Sequence, residues 1–146
     1  MNKFIHIAYL TQAKEFLIIF NVVNEKFPRL TEKTNIKYFL LFHSIELTLK
    51  SFLIYKKFTD DILKNTIGHD LEKAPDNCRQ KGLESIFKIE AQFEAEVKHM
   101  NQYYKSKQFE YPFIGSKVYV EHANFVKPLE DLINRLNSEY RKTFRK

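Results

Sequence analysis

Of the twenty residues Tyr38 to Lys57 (YFLLFHSIELTLKSFLIYKK), twelve are apolar, and among them stand His43, Glu46 and Lys50. At 100° per residue, Tyr38, Leu41, Phe42, Ile45, Leu49, Phe52 and Leu53 fall in one arc, the pattern of a helix docked on a core. His43, Glu46 and Lys50 follow at i, i+3 and i+7 and line up on the other flank. Leu40, Leu47 and Ile54 border that polar stripe, so the spacing predicts a central helix, Ile36 to Lys57. Glu46 stands four residues before Lys50, the favourable order for an ion pair within a helix, worth only about 0.2–0.5 kcal/mol when exposed. The stripe therefore reads either as a surface ion pair or as part of a functional site.

The rest of the chain has few places to turn: 3 Gly and 4 Pro in 146 residues. That length suits one domain with a sizeable core, residues 1–146, and the shortage of turn formers favours long helices. Fourteen Phe and eight Tyr without Trp predict a core filled by aromatic rings. Tyr9, Ala13, Phe16, Phe20, Val23 and Phe27 recur at helical spacing and predict a first helix over much of Phe4 to Asn24, stopped at Pro28. Thr11 is an alternative start for it, and Thr31 or Thr34 is the expected cap of the second helix. The short link between these helices favours a hairpin.

Thr59 to Ile67 is mixed in polarity and reads as a loop or one short turn. Gly68 breaks the chain, and a short helix from His69 to about Lys81 is expected to end at Gly82, with Pro75 introducing a kink. Ser85 suits the cap of a long helix in which Ile86, Ile89, Phe93, Val97, Met100 and Tyr104 step by three or four. Gln108 to Gly115 reads as a connection. A last helix, Val118 to Tyr140, places Phe125, Leu129, Leu132, Leu136 and Tyr140 on its buried side, with Pro128 either kinking it or marking a new start. The pattern predicts an all-α, antiparallel up-and-down bundle of four to five helices.

The chemistry-bearing patterns of common enzyme classes are missing: no Walker A loop, GxGxxG, HExxH, GxSxG or CxxC occurs. No cofactor or metal is expected, because His6, His43, His69, His99 and His122 are scattered and no pair has ligand spacing. The lone Cys78 excludes an intramolecular disulfide and suits a reducing compartment, so the cytoplasm is the expectation. Phe16 to Phe20 is the longest apolar run near the N-terminus, far short of the ~20 residues of a membrane span, so no membrane partner is expected. A net charge of +6 permits polyanion binding. Much of it lies in the tail, where Arg135, Arg141, Lys142, Arg145 and Lys146 face only Glu139; solvation and helix-dipole compensation account for that excess better than nucleic-acid binding does.

Two segments taken together are more specific. Glu46, Leu49 and Lys50 form an ExxLK pattern that precedes Gly68-His69-Asp70-Leu71, and Tyr103, Tyr104 and Phe109-Glu110-Tyr111-Pro112 follow the long helix. This resembles the HEPN superfamily of small helical bundles over about Tyr38 to Pro112. The resemblance implies a homodimer, a defence or toxin–antitoxin setting, and in active members a metal-independent ribonuclease with Arg four to six residues before His. No arginine here has a His at that distance, so catalytic roles do not carry over. The reading that follows is a noncatalytic HEPN-like module engaging a nucleotide, RNA or protein partner beside His43, Glu46, Lys50, His69 and Asp70. The alternatives are a ribonuclease with a displaced site built on His69 or His43 with Lys50, and a structural partner of a nucleotidyltransferase-like subunit. The last would use Tyr103, Tyr104, Phe109, Tyr111 and Phe113 as an exposed interface.

Overall fold

The computed structural model describes residues 2–28, 35–111, 115 and 117–145. Among them are six α-helices and no strand: α1 (Ile5–Lys26), α2 (Asn35–Tyr55), α3 (Asp60–Thr66), α4 (Lys73–Gln80), α5 (Ala91–Tyr104) and α6 (Ala123–Lys142). The chain is all-α among the described residues, with more helices than the four to five expected because α3 forms where the sequence suggested a loop or one short turn.

The centre is α2, in which only Ile36 is exposed and Leu41, Phe42, Ile45, Phe52 and Leu53 are completely buried. A helix apolar around most of its circumference has to be covered on every side, and α2 touches α1, α3, α4 and α6. Hydroxyls bring α1 close. Ser44 Oγ donates to the Ala13 carbonyl at 2.6 Å and Ser51 Oγ to the His6 carbonyl at 2.7 Å, while Lys37 Nζ reaches Asn24 Oδ1 at 3.0 Å. These pairs descend along α1 as they ascend along α2, so the two helices are antiparallel. The expected hairpin forms, although its caps Thr31 and Thr34 lie outside the described residues. Ring contacts between Phe42 and Phe125 at 5.1 Å and between Tyr55 and Tyr140 at 4.8 Å run α6 parallel to α2.

Several element boundaries differ from the sequence pattern, each for a local reason. Helix α1 runs through Thr11, and Phe27, its last periodic aromatic, is exposed rather than buried. Thr59 caps α3 by accepting from the Ile62 amide at 3.3 Å, with Asp60 and Asp61 favourably placed in the first turn. Helix α4 starts at Lys73, not His69, because residues 68–72 are spent on turns; Pro75 then occupies the third helical position, whose amide has no intrahelical acceptor. Gly82 adopts the left-handed φ of 85° that ends the helix.

Ser85 does not cap α5. Its hydroxyl donates back to the Gly82 carbonyl at 2.8 Å within a 3-10 turn, Leu83–Ser85, and α5 begins six residues later at Ala91. Nor is Val118 helical: residues 117–121 cross α5 as a strap whose backbone is satisfied by side chains. The Val118 amide donates to Tyr103 Oη at 2.9 Å, the His99 Nε2–H donates to the Val118 carbonyl at 2.8 Å, and Tyr38 Oη donates to the Val120 carbonyl. Pro128 lies inside α6 rather than at a new start. No described helix is long and apolar enough to cross a membrane.

Candidate functional site

The polar stripe of α2 faces inward. Glu46 is 2% exposed, a burial that costs several kcal/mol for a carboxylate unless it is paired and hydrogen-bonded. Four groups surround it. Lys50, one turn along, donates to Oε1 at 2.6 Å; His69 Nδ1 lies 3.1 Å from both carboxylate oxygens; Tyr104 of α5 donates its hydroxyl hydrogen to Oε2; and His43 Nδ1 is 4.0 Å from Oε2. Burial opposes the ionisation of Glu46, but the Lys50 charge and the bonds from Lys50, Tyr104 and His69 outweigh it and hold the carboxyl below its ordinary value. Burial and the adjacent Glu46 charge push the Tyr104 hydroxyl far up, so it remains a donor.

These bonds fix the histidine tautomers. A carboxylate only accepts, so His69 Nδ1 holds a hydrogen. Tyr104 gives its hydrogen to Glu46, leaving its oxygen to accept from His43 Nδ1 at 3.1 Å. Burial lowers the pKa of His43, and Lys50 and His69 lower it further against the pull of Glu46 and Glu110, so the ring is neutral at pH 7 with its lone pair on Nε2. Phe39 stacks on the His43 ring at 5.4 Å and Phe16 meets it edge-on at 4.6 Å. Around the hub stand these aromatic rings, the partly exposed His43, the mostly buried Lys50 and the largely exposed His69.

No family model, curated protein or solved structure matches the chain. What it does is left to the geometry. Of the five candidate ligand-binding residues, His43, Glu46, Lys50 and His69 converge, and Asp70 does not. Its Oδ1 accepts from the Glu72 amide at 3.0 Å and from Asn101 Nδ2 at 2.8 Å, while Asn101 Oδ1 accepts from the Leu71 amide at 3.0 Å. Asp70 and Asn101 together clamp the turn that presents His69, so Asp70 positions the site from outside it.

The aromatic interface is largely corrected. Tyr103, Tyr104 and Phe109 are buried, Tyr104 within the hub itself; Tyr111 alone of the described four is exposed, and Phe113 lies outside the described residues. Asn101 was legible as an anomaly: Val97, Asn101 and Tyr104 share the buried face of α5, and an amide there needs a partner. Cys78 is buried with its thiol directed at the Leu49 carbonyl 3.6 Å away, and burial pushes its pKa far up, so it is no nucleophile. Among the described residues no group of three or more His, Cys, Asp or Glu side chains is arranged to hold a metal ion.

Proposed function

We propose that this chain is a noncatalytic HEPN-like module, acting as a homodimer, that binds a nucleotide or single-stranded RNA over the Glu46 hub. The observation that supports it is the convergence of His43, Lys50 and His69, from two separate segments, around one buried carboxylate. Glu46 holds Lys50 and His69 directly and His43 through Tyr104, which lowers the ordering cost of binding. Lys50 uses one of its three donors on Glu46 and has others for a phosphate, while the Phe16–His43–Phe39 rings suit a stacked base.

Fluorescence polarisation with labelled single-stranded RNA at several salt concentrations tests this reading. Lys50→Gln is expected to weaken binding about tenfold and to reduce the salt slope by about one. Unchanged salt dependence in Lys50→Gln, or no binding by the parent protein at low salt, removes the reading.

One observation favours a second, catalytic reading. His43 and His69 both turn Nδ1 toward the hub, which leaves two Nε2 atoms available as an acid/base pair beside the Lys50 ammonium. Incubation of mixed RNA with the parent protein and with His69→Ala and Lys50→Ala decides it: cleavage that is lost in both variants supports a ribonuclease, and an inert parent excludes one.

A further inference from the structure

A separate cavity of about 540 Å³ opens where the start of α1 meets the ends of α2 and α6. Its apolar walls come from Phe4, Ile54, Tyr55 and Phe144, with the Phe4 and Phe144 rings stacked at 5.6 Å and both half exposed. Its charged groups are Lys3, Lys56 and Lys57, and no carboxylate lines it. None of these three lysines has a carboxylate within ion-pair distance among the described residues, in contrast to Lys50. His6 completes the lining: its Nε2 is buried without a hydrogen-bond partner, although its ring is held edge-on to Tyr140 at 4.7 Å and its carbonyl is engaged by Ser51. A mostly apolar concavity of this size with a few convergent polar groups is the form of a small-molecule site.

Lys57 supplies a further clue. It sits at the left-handed position that closes α2, with φ of 74°, in a Schellman arrangement in which the Phe58 amide reaches the Leu53 carbonyl at 2.9 Å and the Lys57 amide reaches the Ile54 carbonyl at 2.8 Å. Glycine adopts that conformation without the Cβ clash that lysine meets. A cation near a helix C-terminus is favourable through the dipole, but Lys56 already stands there, so that effect alone does not explain a strained second lysine.

We infer that this cavity binds a small organic anion with a flat aromatic body, its acid group held by Lys3 and Lys57 and its rings lying against Phe4, Tyr55 and Phe144. The charge follows from three cations with no acid in the lining. The aromatic body follows from walls that are mainly rings, which stack on a planar ligand at little cost in side-chain entropy.

The test uses the full chain and two probes of one shape: 2-naphthoate, charged at pH 7, and 2-naphthol, uncharged at that pH. Titration by isothermal calorimetry, with amide chemical shifts to locate the site, should show 2-naphthoate perturbing Ile5, His6 and Ile54 to Lys57 and binding at least about tenfold tighter than 2-naphthol, roughly the worth of one charge-assisted hydrogen bond. Lys57→Gly should weaken 2-naphthoate at least about fivefold while raising Tm by a few degrees, since it relieves the left-handed strain. Lys57→Gln, which keeps the strain and removes the charge, should weaken binding equally with Tm unchanged. Equal affinity for the two probes, full affinity in both Lys57 variants, or no shifts at the cavity with ~1 mM 2-naphthoate overturns the inference.

Discussion

Two polar regions share α2 and are finished in opposite ways. At Glu46, in the middle of the helix, both oxygens of the carboxylate are used: Lys50, His69 and Tyr104 all donate to it. At the C-terminal end of the same helix, Lys56 and Lys57 line a cavity with no acid to meet them, and the Nε2 of His6 in its wall is buried without a partner. The first region spends its polar groups on holding three elements together; the second leaves them over. Buried polar groups that are fully paired rigidify a fold, and those left unpaired cost free energy until something binds. The contrast assigns structure-bearing weight to Glu46 and ligand-seeking character to Lys57.

Breaking the hub gives the largest effect. Glu46→Ala leaves Lys50, only 12% exposed, and the buried Tyr104 hydroxyl without their acceptor. Loss of one partner from a buried ion pair costs about 3–5 kcal/mol, so urea unfolding should show a fall of that size, a large part of the stability of a domain this small. A loss below about 1 kcal/mol would mean that the hub behaves as an exposed ion pair, and the contrast with the cavity would disappear.

Part of this contrast was readable in the residues. The polar stripe on an apolar helix marked His43, Glu46 and Lys50 because 3.6-residue periodicity reports which face a side chain shares. His69 was within reach as a possibility, since only tertiary packing brings the turn after Gly68 to α2. Tyr104 could be placed on the buried face of α5 but not aimed at Glu46: a tyrosine on an apolar face has the same pattern whether its hydroxyl ends in water or on a carboxylate. The boundaries of α5 and α6 were misread for a related reason. Ile86 and Val118 continue the helical spacing, yet the first sits beyond a 3-10 turn, and the second lies in a strap held by Tyr103, His99 and Tyr38, bonds that no local pattern announces. The His6 cavity was illegible because its walls come from residues more than a hundred positions apart.

Acid separates the two regions by a smaller effect. Burial lowers the pKa of His43, His6 and His122 below 6.5. As pH falls through 6.5 the unfolded chain therefore takes up protons that the folded chain resists, and stability drops until the folded pKa values are reached. Glu46 behaves as a depressed carboxyl: its contribution is present above 4.5 and is lost only as pH falls through its lower folded value. Thermal unfolding between pH 8 and pH 3 should show two acid steps, the first beginning near pH 6.5 and the second below pH 4.5. His43→Gln should shrink the first, and Glu46→Gln should abolish the second. A single step confined to the region below pH 4.5 would contradict the burial of the histidines.

The smallest effect, and the sharpest contrast with Glu46→Ala, is expected at His6. Its ring packs edge-on to Tyr140 at 4.7 Å and tilted against Tyr55 at 5.5 Å, contacts that a phenyl ring preserves, while its Nε2 forms no bond that could be lost. Replacing an unsatisfied buried polar atom by an apolar one of similar shape is neutral or stabilising. His6→Phe should therefore leave the urea midpoint unchanged or raise stability by about 1 kcal/mol at most, and should remove part of the acid step near pH 6.5, because the wild-type imidazole is held neutral by burial and by the neighbouring Lys57 charge. A fall of 2 kcal/mol or more would show that Nε2 is satisfied in solution, and His6 would then belong with Glu46 among the groups that hold the bundle together.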